Sequence, residues 1–448
     1  MTELFDLRRA ARSIFDATLA HTDARRAVRR ALDFTGKRLS IVDAEFDLNS
    51  QPPRAIYSIA IGKAAGAMAA ALDEVLGDRL TAGVISALPL RFALSKRWRV
   101  FAGGHPLPNE ASLTAARAAF DLLQQADAQR ALVIFLISGG GSAMLEWPRD
   151  EAITLAELQE ANRALVSCGA SVGEVNAVRR AFSSVKGGGL RAHAGRAAQV
   201  SLIISDTKRD EPYNVASGPT FIFPHESLDP REIVNRYRLA SILPASILRA
   251  INHPQSYSPE TDQSVLHRHH VLLDNNHALE QAAEVARALD FAVEIAHDVS
   301  EQPVEEGVGM LVSRLFELRR RASAGRPVCL ISGGEFSCPV RGTGVGGRNA
   351  ETVLRCAFEV EAHAARSSHE AMRFVALSAG TDGIDGNSPA AGALCDETTL
   401  ARGRALSLDA LNFLETSDAH PFFAALGDTI TTGATGTNVR DLRLLLAE

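Results

Sequence analysis

The sequence predicts an α/β protein of two domains, and three observations carry that reading. Short continuous apolar runs, each bounded by Gly, Asp or Ser, recur at residues 55–62, 132–138, 200–206, 271–274, 328–332 and 373–378. Between most of them lie longer stretches at helical period, at 64–76, 111–126, 152–168, 278–289 and 308–321. Strands apolar on both faces alternating with helices indicate parallel sheets covered by helices. Finally, a proline-rich stretch with Pro224, Pro230, Pro244, Pro254 and Pro259 joins two strand-rich halves. Such a segment marks a domain boundary, placed near residue 245, which gives domains at 1–245 and 246–448.

Ahead of the first strand, Leu4, Leu7, Ala11, Ile14, Phe15 and Leu19 repeat at helical spacing, so residues 5–34 read as amphipathic helices covering a sheet. With 47 basic against 53 acidic side chains in 448 residues, the net charge is -6, and no long basic block exists. That balance offers no footprint for nucleic acid or an anionic membrane. The five cysteines form no C-x-x-C pair, so neither a disulfide framework nor a zinc site is signalled, and a reducing cytoplasmic compartment is the simplest expectation. The N-terminal MTELFDLRRAARSIFDA is charged throughout, unlike a signal peptide, and the longest uncharged run is broken by Gly139, Gly140 and Gly141 before it could span a bilayer.

Chemistry is expected where strands run into glycine-rich loops, because open α/β sheets place ligands at the carboxyl ends of their strands. In IYSIAIGKAAGAMA a strand ends at Gly62 and Lys63 stands at a helix start, where an ammonium and backbone amides suit a phosphate. A solvated lysine fits that segment equally well. In LVIFLISGGGSAMLEW, Ser138, Gly139, Gly140, Gly141 and Ser142 expose backbone amides, a nest for phosphate or carboxylate oxygens. In NAVRRAFSSVKGGGL, Lys186 precedes Gly187 and two more glycines, more than a helix C-cap requires. Asp206 ends a strand in IISDTKRDEPYN; a carboxylate there can hold Mg²⁺ or accept a hydroxyl proton, although a turn-forming Asp has the same spacing. His105, in GGHPLPNE, is a candidate for the same cleft or for loop packing.

The second half repeats the theme in ISGGEFSCPVRGTGVGGRNAE, LSAGTDGIDGNSPAAGALCD and TTGATGTNVRD. Gly342, Gly344 and Gly347 satisfy G-x-G-x-x-G, which raises a nicotinamide dehydrogenase, but the glycines do not directly follow a strand and Ser367 stands where an acidic residue is wanted. Arg348 and Asn349 are instead suited to clamp oxyanions, with Asp382 and Asp385 as acidic partners. His267, His269 and His270 read as solvated rather than metal-binding. No G-x-S-x-G elbow is present, so serine hydrolysis is unsupported. Twenty-one of the 34 glycines fall in seven such loops, so an average total is concentrated where backbone can wrap anionic ligands.

The ordered motifs AIGKAAGAMA, GGHPLPNEAS, LISGGGSAML, NAVRRAFSSVKGGGL, EPYNVASGPT, GTGVGGRNAE, LSAGTDGIDGNSPAAGA and TGATGTNVRDL closely resemble the class II glycerate kinases, across residues 5–446. The resemblance implies a Rossmann-like N-terminal domain, a smaller α/β C-terminal domain of the MOFRL type, and a cleft between them that closes on its substrates. It implies ATP-dependent phosphorylation of D-glycerate at its 2-hydroxyl with Mg²⁺ or another divalent cation, and it is compatible with a homo-oligomer. Carried over by motif, Lys63 and Arg348 would stabilise the transferring phosphoryl group. Asp206 and Asp382 would serve the metal or the glycerate hydroxyl. Gly139–Gly141 and Lys186 would hold nucleotide phosphates or the substrate carboxylate. The chain departs from the family pattern at Thr207, Lys208 and Arg209, and at Ala350, Ala434 and Arg440, which bears on specificity more than on reaction class. The rival expectations are an NAD(P)H-dependent hydroxypyruvate reductase, a label given to some family members, and a non-catalytic sensor of a sugar acid or nucleotide.

Overall fold

Residues 6–49, 54–222, 228–253, 265–323, 325–366 and 372–448 are described by a computed structural model. Their strands collect into three sheets. Ile56–Ile61, Leu132–Ser138 and Ala198–Ile204 are buried along their whole length, as strands covered by helices on both faces must be. They form the middle of a six-stranded sheet in the order Trp98–Ala102, Ala82–Ala87, Ile56–Ile61, Leu132–Ser138, Ala198–Ile204, His267–Leu273. The first five strands pair in parallel, as expected. From Ile56–Ile61 the chain proceeds to one side of the sheet and then returns to the other at Leu132–Ser138. The crevice outside the carboxyl ends of those two strands is therefore a topological switch point, where such sheets bind ligands. Registers pairing Ile61 with Ile137 and Ser138 with Ile204 bring Gly62, Gly139 and Ser205 out at one edge.

The other six-stranded sheet runs Ala292–Ile295, Val328–Ser332, Asp441–Ala447, Phe374–Gly380, Gly392–Asp396, Thr429–Ile430. Here the expectation of a parallel sheet needs correcting. Only the first pair is parallel, and the others are antiparallel. Asp441–Ala447 closes the chain in the centre of the sheet, entering from the opposite direction between two strands that helical crossovers had laid down. Alternation along it splits the core. Leu445 and Ala447 pack with Val308, Leu311, Val353 and Phe422 on one face, and Leu444 and Leu446 pack with Ile14, Phe15, Leu279 and Ala283 on the other.

The chain divides into two compact units, Ala24–Leu272 and a unit made of Met1–Asp23 with Leu273–Glu448. The division falls at 272/273 rather than near 245. Ala245–Asn252 belongs to the earlier unit because Ile247 and Ile251 share a core with Val178 and Ile233. Leu7–His21 joins the later unit through its apolar stripe of Ala11, Ile14 and Phe15. Leu4, Pro224, Pro254 and Pro259 lie outside the described residues. The helical reading of residues 5–34 also overruns: Leu32–Phe34 opens a small antiparallel sheet with Arg38–Ile41 and Ala44–Asp47. Among the described residues no helix is long and apolar enough to cross a membrane.

Candidate active site

In the unit Ala24–Leu272, glycines bring the expected residues together by what they lack. Gly62 takes a left-handed φ of 107°, and a Cβ there would strike Ser138 and lie 2.7 Å from the Gly139 carbonyl. The two strand ends are stitched by the Lys63 amide donating to the Gly139 carbonyl at 2.8 Å and the Ala64 amide to Ser138 Oγ at 3.0 Å. A Cβ on Gly139 would overlap the Asp206 carboxylate, and one on Gly140 would lie 3.0 Å from the His105 ring and 3.2 Å from Lys63 Cγ. Lys63, His105, Ser138, Gly139, Gly140 and Asp206 therefore share one loop cluster at the switch point. Lys63 and Asp206 are half-buried and His105 is exposed, so the cluster is open to a ligand.

Behind it, the segment Ala216–Gly218 has three consecutive residues with left-handed φ of 51°, 61° and 65°. For Ala and Ser that conformation is strained and persists only where the surroundings enforce it. Here Ser217 Oγ donates to Asn176 Oδ1 at 2.7 Å and lies 2.8 Å from Ser142 Oγ, while Ala216 packs where a Cβ on Gly141 would be. Ser142 is thus held at the cluster's edge by Ser217. Neither Ser217 nor Asn176 was singled out from sequence; their strain and mutual bonding have no local signature.

Lys186 is placed differently from its expected role on a phosphate or carboxylate. Its side chain is wholly buried, with its ammonium paired to Glu146, which also accepts from Ser183 Oγ at 2.6 Å. Burial pulls the Lys186 pKa down and Glu146 works against that pull. The amides of Gly187 and Gly188 are likewise used inside the fold, on the carbonyls of Ser217 at 3.2 Å and Gly218 at 2.8 Å. The KGGG loop therefore braces the strained segment.

In the unit containing Leu273–Glu448, Arg348 begins the helix Arg348–Arg366. Its guanidinium donates to Asp441 at 2.5 and 3.1 Å and pairs with Glu335 at 2.8 Å. Burial opposes its charge, but Asp441 and Glu335 outweigh that and raise its pKa above the usual arginine value. Asp441 and Glu335 were not anticipated; Asp441 is 93 residues away in sequence, and its only signal was an acid directly after the last glycine motif. Asn349 and Asp385, expected at the ligand, are instead buried braces. Asp385 accepts the amides of Asn349 and Ala350, both at 2.9 Å, and so caps the helix, while Asn349 bonds Asp441 and Ser378. Burial pushes the Asp385 pKa up to about 6, against the two amides. Asp382 is half-buried in the following turn, where it accepts the Ile384 amide at 3.1 Å.

Among the described residues no group of three or more His, Cys, Asp or Glu forms a ready metal cage. The three histidines are not solvated as expected: His269 stacks on Phe221 at 4.0 Å, His270 meets Asp43, and His267 is half-buried on an edge strand.

Cationic side chains and bare glycine backbone at strand ends, with carboxylates alongside, define a phosphoryl-transfer enzyme. Residues 10–252 match the family described as a domain of unknown function, DUF4147, and residues 328–441 match the MOFRL family. The chain is 32% identical to the D-glycerate 2-kinase of Thermotoga maritima, over 86% of this chain and 89% of that protein. It is 36% identical, over 87% of its own length and 98% of the other's, to an Agrobacterium vitis protein whose name proposes a hydroxypyruvate reductase. The crystal structure of glycerate kinase from Thermotoga maritima superposes with a TM-score of 0.80 at 29% identity, covering 99% of both chains. The chain belongs to the DUF4147 and MOFRL glycerate kinase family.

Proposed function

We propose that this enzyme transfers the γ-phosphoryl group of ATP to the 2-hydroxyl of D-glycerate, giving 2-phosphoglycerate and ADP. The observation that carries the proposal is the convergence of Lys63, the Ser138–Gly140 backbone and Asp206 at the switch point. In the transfer, the substrate oxygen forms a bond to phosphorus, the bond to the β-phosphate oxygen breaks, and the hydroxyl proton leaves. Asp206, lodged against the bare Cα of Gly139, is assigned to receive that proton. Lys63 and Arg348 are assigned to the charge spread over the transferring oxygens, and Ser142, Gly141 and His105 to orienting the anionic substrate. A divalent cation would neutralise phosphate charge. Mg²⁺ commonly binds one or two carboxylates plus substrate phosphates, and Asp382, a single carboxylate beside a glycine turn, fits such a site better than a protein-only cage.

The reductase reading is weaker for a physical reason. A dinucleotide fingerprint leaves helix amides to meet a pyrophosphate, whereas after Gly342–Gly347 the amides of Asn349 and Ala350 already serve Asp385. The test is ADP release coupled to a readout, with the product identified by NMR. D-glycerate should be required and 2-phosphoglycerate should form. Turnover indifferent to glycerate, or nicotinamide oxidation with hydroxypyruvate, would overturn the proposal.

A further inference from the structure

A cavity of about 450 Å³ lies within the unit containing Leu273–Glu448, and Arg348 forms part of its wall. Its other walls combine apolar surface and bare backbone with the polar side chains of Glu351, Asn387 and Ser417. Phe336, Pro339 and Val340 present apolar surface, and Gly344, Gly346 and Gly347 present bare backbone. Val340 is 82% exposed, so its side chain is accessible from solvent at the cavity wall.

The glycine loop is fixed by its surroundings. Asp418 accepts the Val345 amide at 2.6 Å, Asn387 accepts the Gly346 amide at 2.9 Å and donates to the Gly344 carbonyl at 3.1 Å, and Ser417 accepts the Arg341 amide at 3.0 Å. A Cβ at Gly344 would run into Asp418 at 2.6 Å, so the shelf is kept smooth by close packing.

We infer that this cavity is the nucleotide pocket, seating the adenine and ribose of ATP with the triphosphate directed to Arg348. The inference rests on the kinase reading above. D-glycerate, a small and wholly polar acid, neither fills such a volume nor matches apolar walls, whereas a purine face does both. If Arg348 meets the phosphoryl group, the remainder of the nucleotide must extend from it, and this cavity adjoins Arg348. Asp441, 1% exposed, holds the guanidinium in place, while Glu335 at 37% is the exposed partner a triphosphate would displace.

The test uses the full chain and two variants at the exposed wall, where the fold should be unaffected. In Val340→Glu, the Kd of a non-hydrolysable ATP analogue measured calorimetrically should rise about tenfold or more. In Val340→Ser, which deletes apolar surface without adding charge, the same Kd should rise about threefold to tenfold, with the KM for D-glycerate and the affinity for inorganic tripolyphosphate within twofold of the parent. Photolabelling the parent with 2-azido-ATP should place the adduct on peptides containing residues 336–347 or 417–419. Unchanged nucleotide Kd in both variants, or an adduct within 54–222, overturns the pocket. Absence of glycerate-dependent turnover in the parent overturns the activity instead, and the position of the photoadduct then decides the pocket separately.

Discussion

At the scale of single residues, the distinction between side chains that meet substrate and side chains that hold others gives opposite expectations for two lysines. Lys63→Ala and Arg348→Ala should each lower kcat by ~10² or more, because charge stabilisation of the transition state is lost; melting should be unchanged in Lys63→Ala and lowered in Arg348→Ala, which leaves Asp441 buried without its guanidinium. Near-normal turnover in either variant would remove it from the site. For Lys186 the buried pair with Glu146 predicts another pattern. Lys186→Met leaves a carboxylate buried without its ammonium and should cost about 3 kcal/mol or more in urea unfolding, whereas Lys186→Met with Glu146→Gln should recover most of that stability and of kcat. A lysine that bound phosphate would not be rescued by changing Glu146. Lys63, Asp206 and Arg348 stand out in the sequence as candidates because each lies beside glycines or at a strand or helix end. Asp441, Glu335, Glu146 and Ser217 do not, because their meaning lies in partners far along the chain, which a local pattern does not encode. Nor does motif membership show that Lys186, Asn349 and Asp385 are buried and bonded within the fold, because it does not separate a contact from a brace.

At the scale of elements, continuous apolar runs located Leu132–Ser138 and Val328–Ser332 to the residue, since a strand buried on both faces has no polar position to blur its ends. Direction was not legible in the same way. Asp441–Ala447 is as fully buried as a parallel strand, despite Asp441 and Arg443, and its burial does not tell that it runs antiparallel to both neighbours. The helix Arg348–Arg366 offers a test of how its start is held. Asp385 has an unfolded pKa of about 3.9 and a folded value of about 6, so between those pH values the folded protein binds the extra proton. Unfolding free energy should therefore fall as pH rises through that window, with a slope up to about 1.4 kcal/mol per pH unit from this carboxyl. Asp385→Asn should lose that slope in urea titrations at pH 4 to 6, while an unchanged pH dependence would show that the carboxyl ionises normally in its buried cap.

At the scale of the whole molecule, the two compact units should respond to acid in opposite directions. His267 and His269, in the unit Ala24–Leu272, have pKa values lowered to about 4, chiefly by burial and then, at His267, by nearby Arg191. The ring nitrogens of His267 are buried with no hydrogen-bond partner among the described residues, so no acceptor compensates a proton there. Because an unfolded histidine titrates near ~6.5, the unfolded state binds more protons between that value and about 4. The stability that neutral His267 and His269 provide is complete above pH 6.5 and is lost as pH falls toward 4. In the other unit Asp385 gains over the lower part of the same interval, from pH 6 to 4. Hydrogen exchange at pH 7 and pH 5, corrected for the intrinsic rate, should therefore show opening free energies falling at Ala198–Ile204 and His267–Leu273 and holding or rising at the start of Arg348–Arg366. In a His267→Leu, His269→Gln variant that still folds, the first change should vanish and the second remain. Equal loss of protection in both units, or a loss that survives the histidine substitutions, would mean that the buried histidines do not set the acid sensitivity of the parallel-sheet unit.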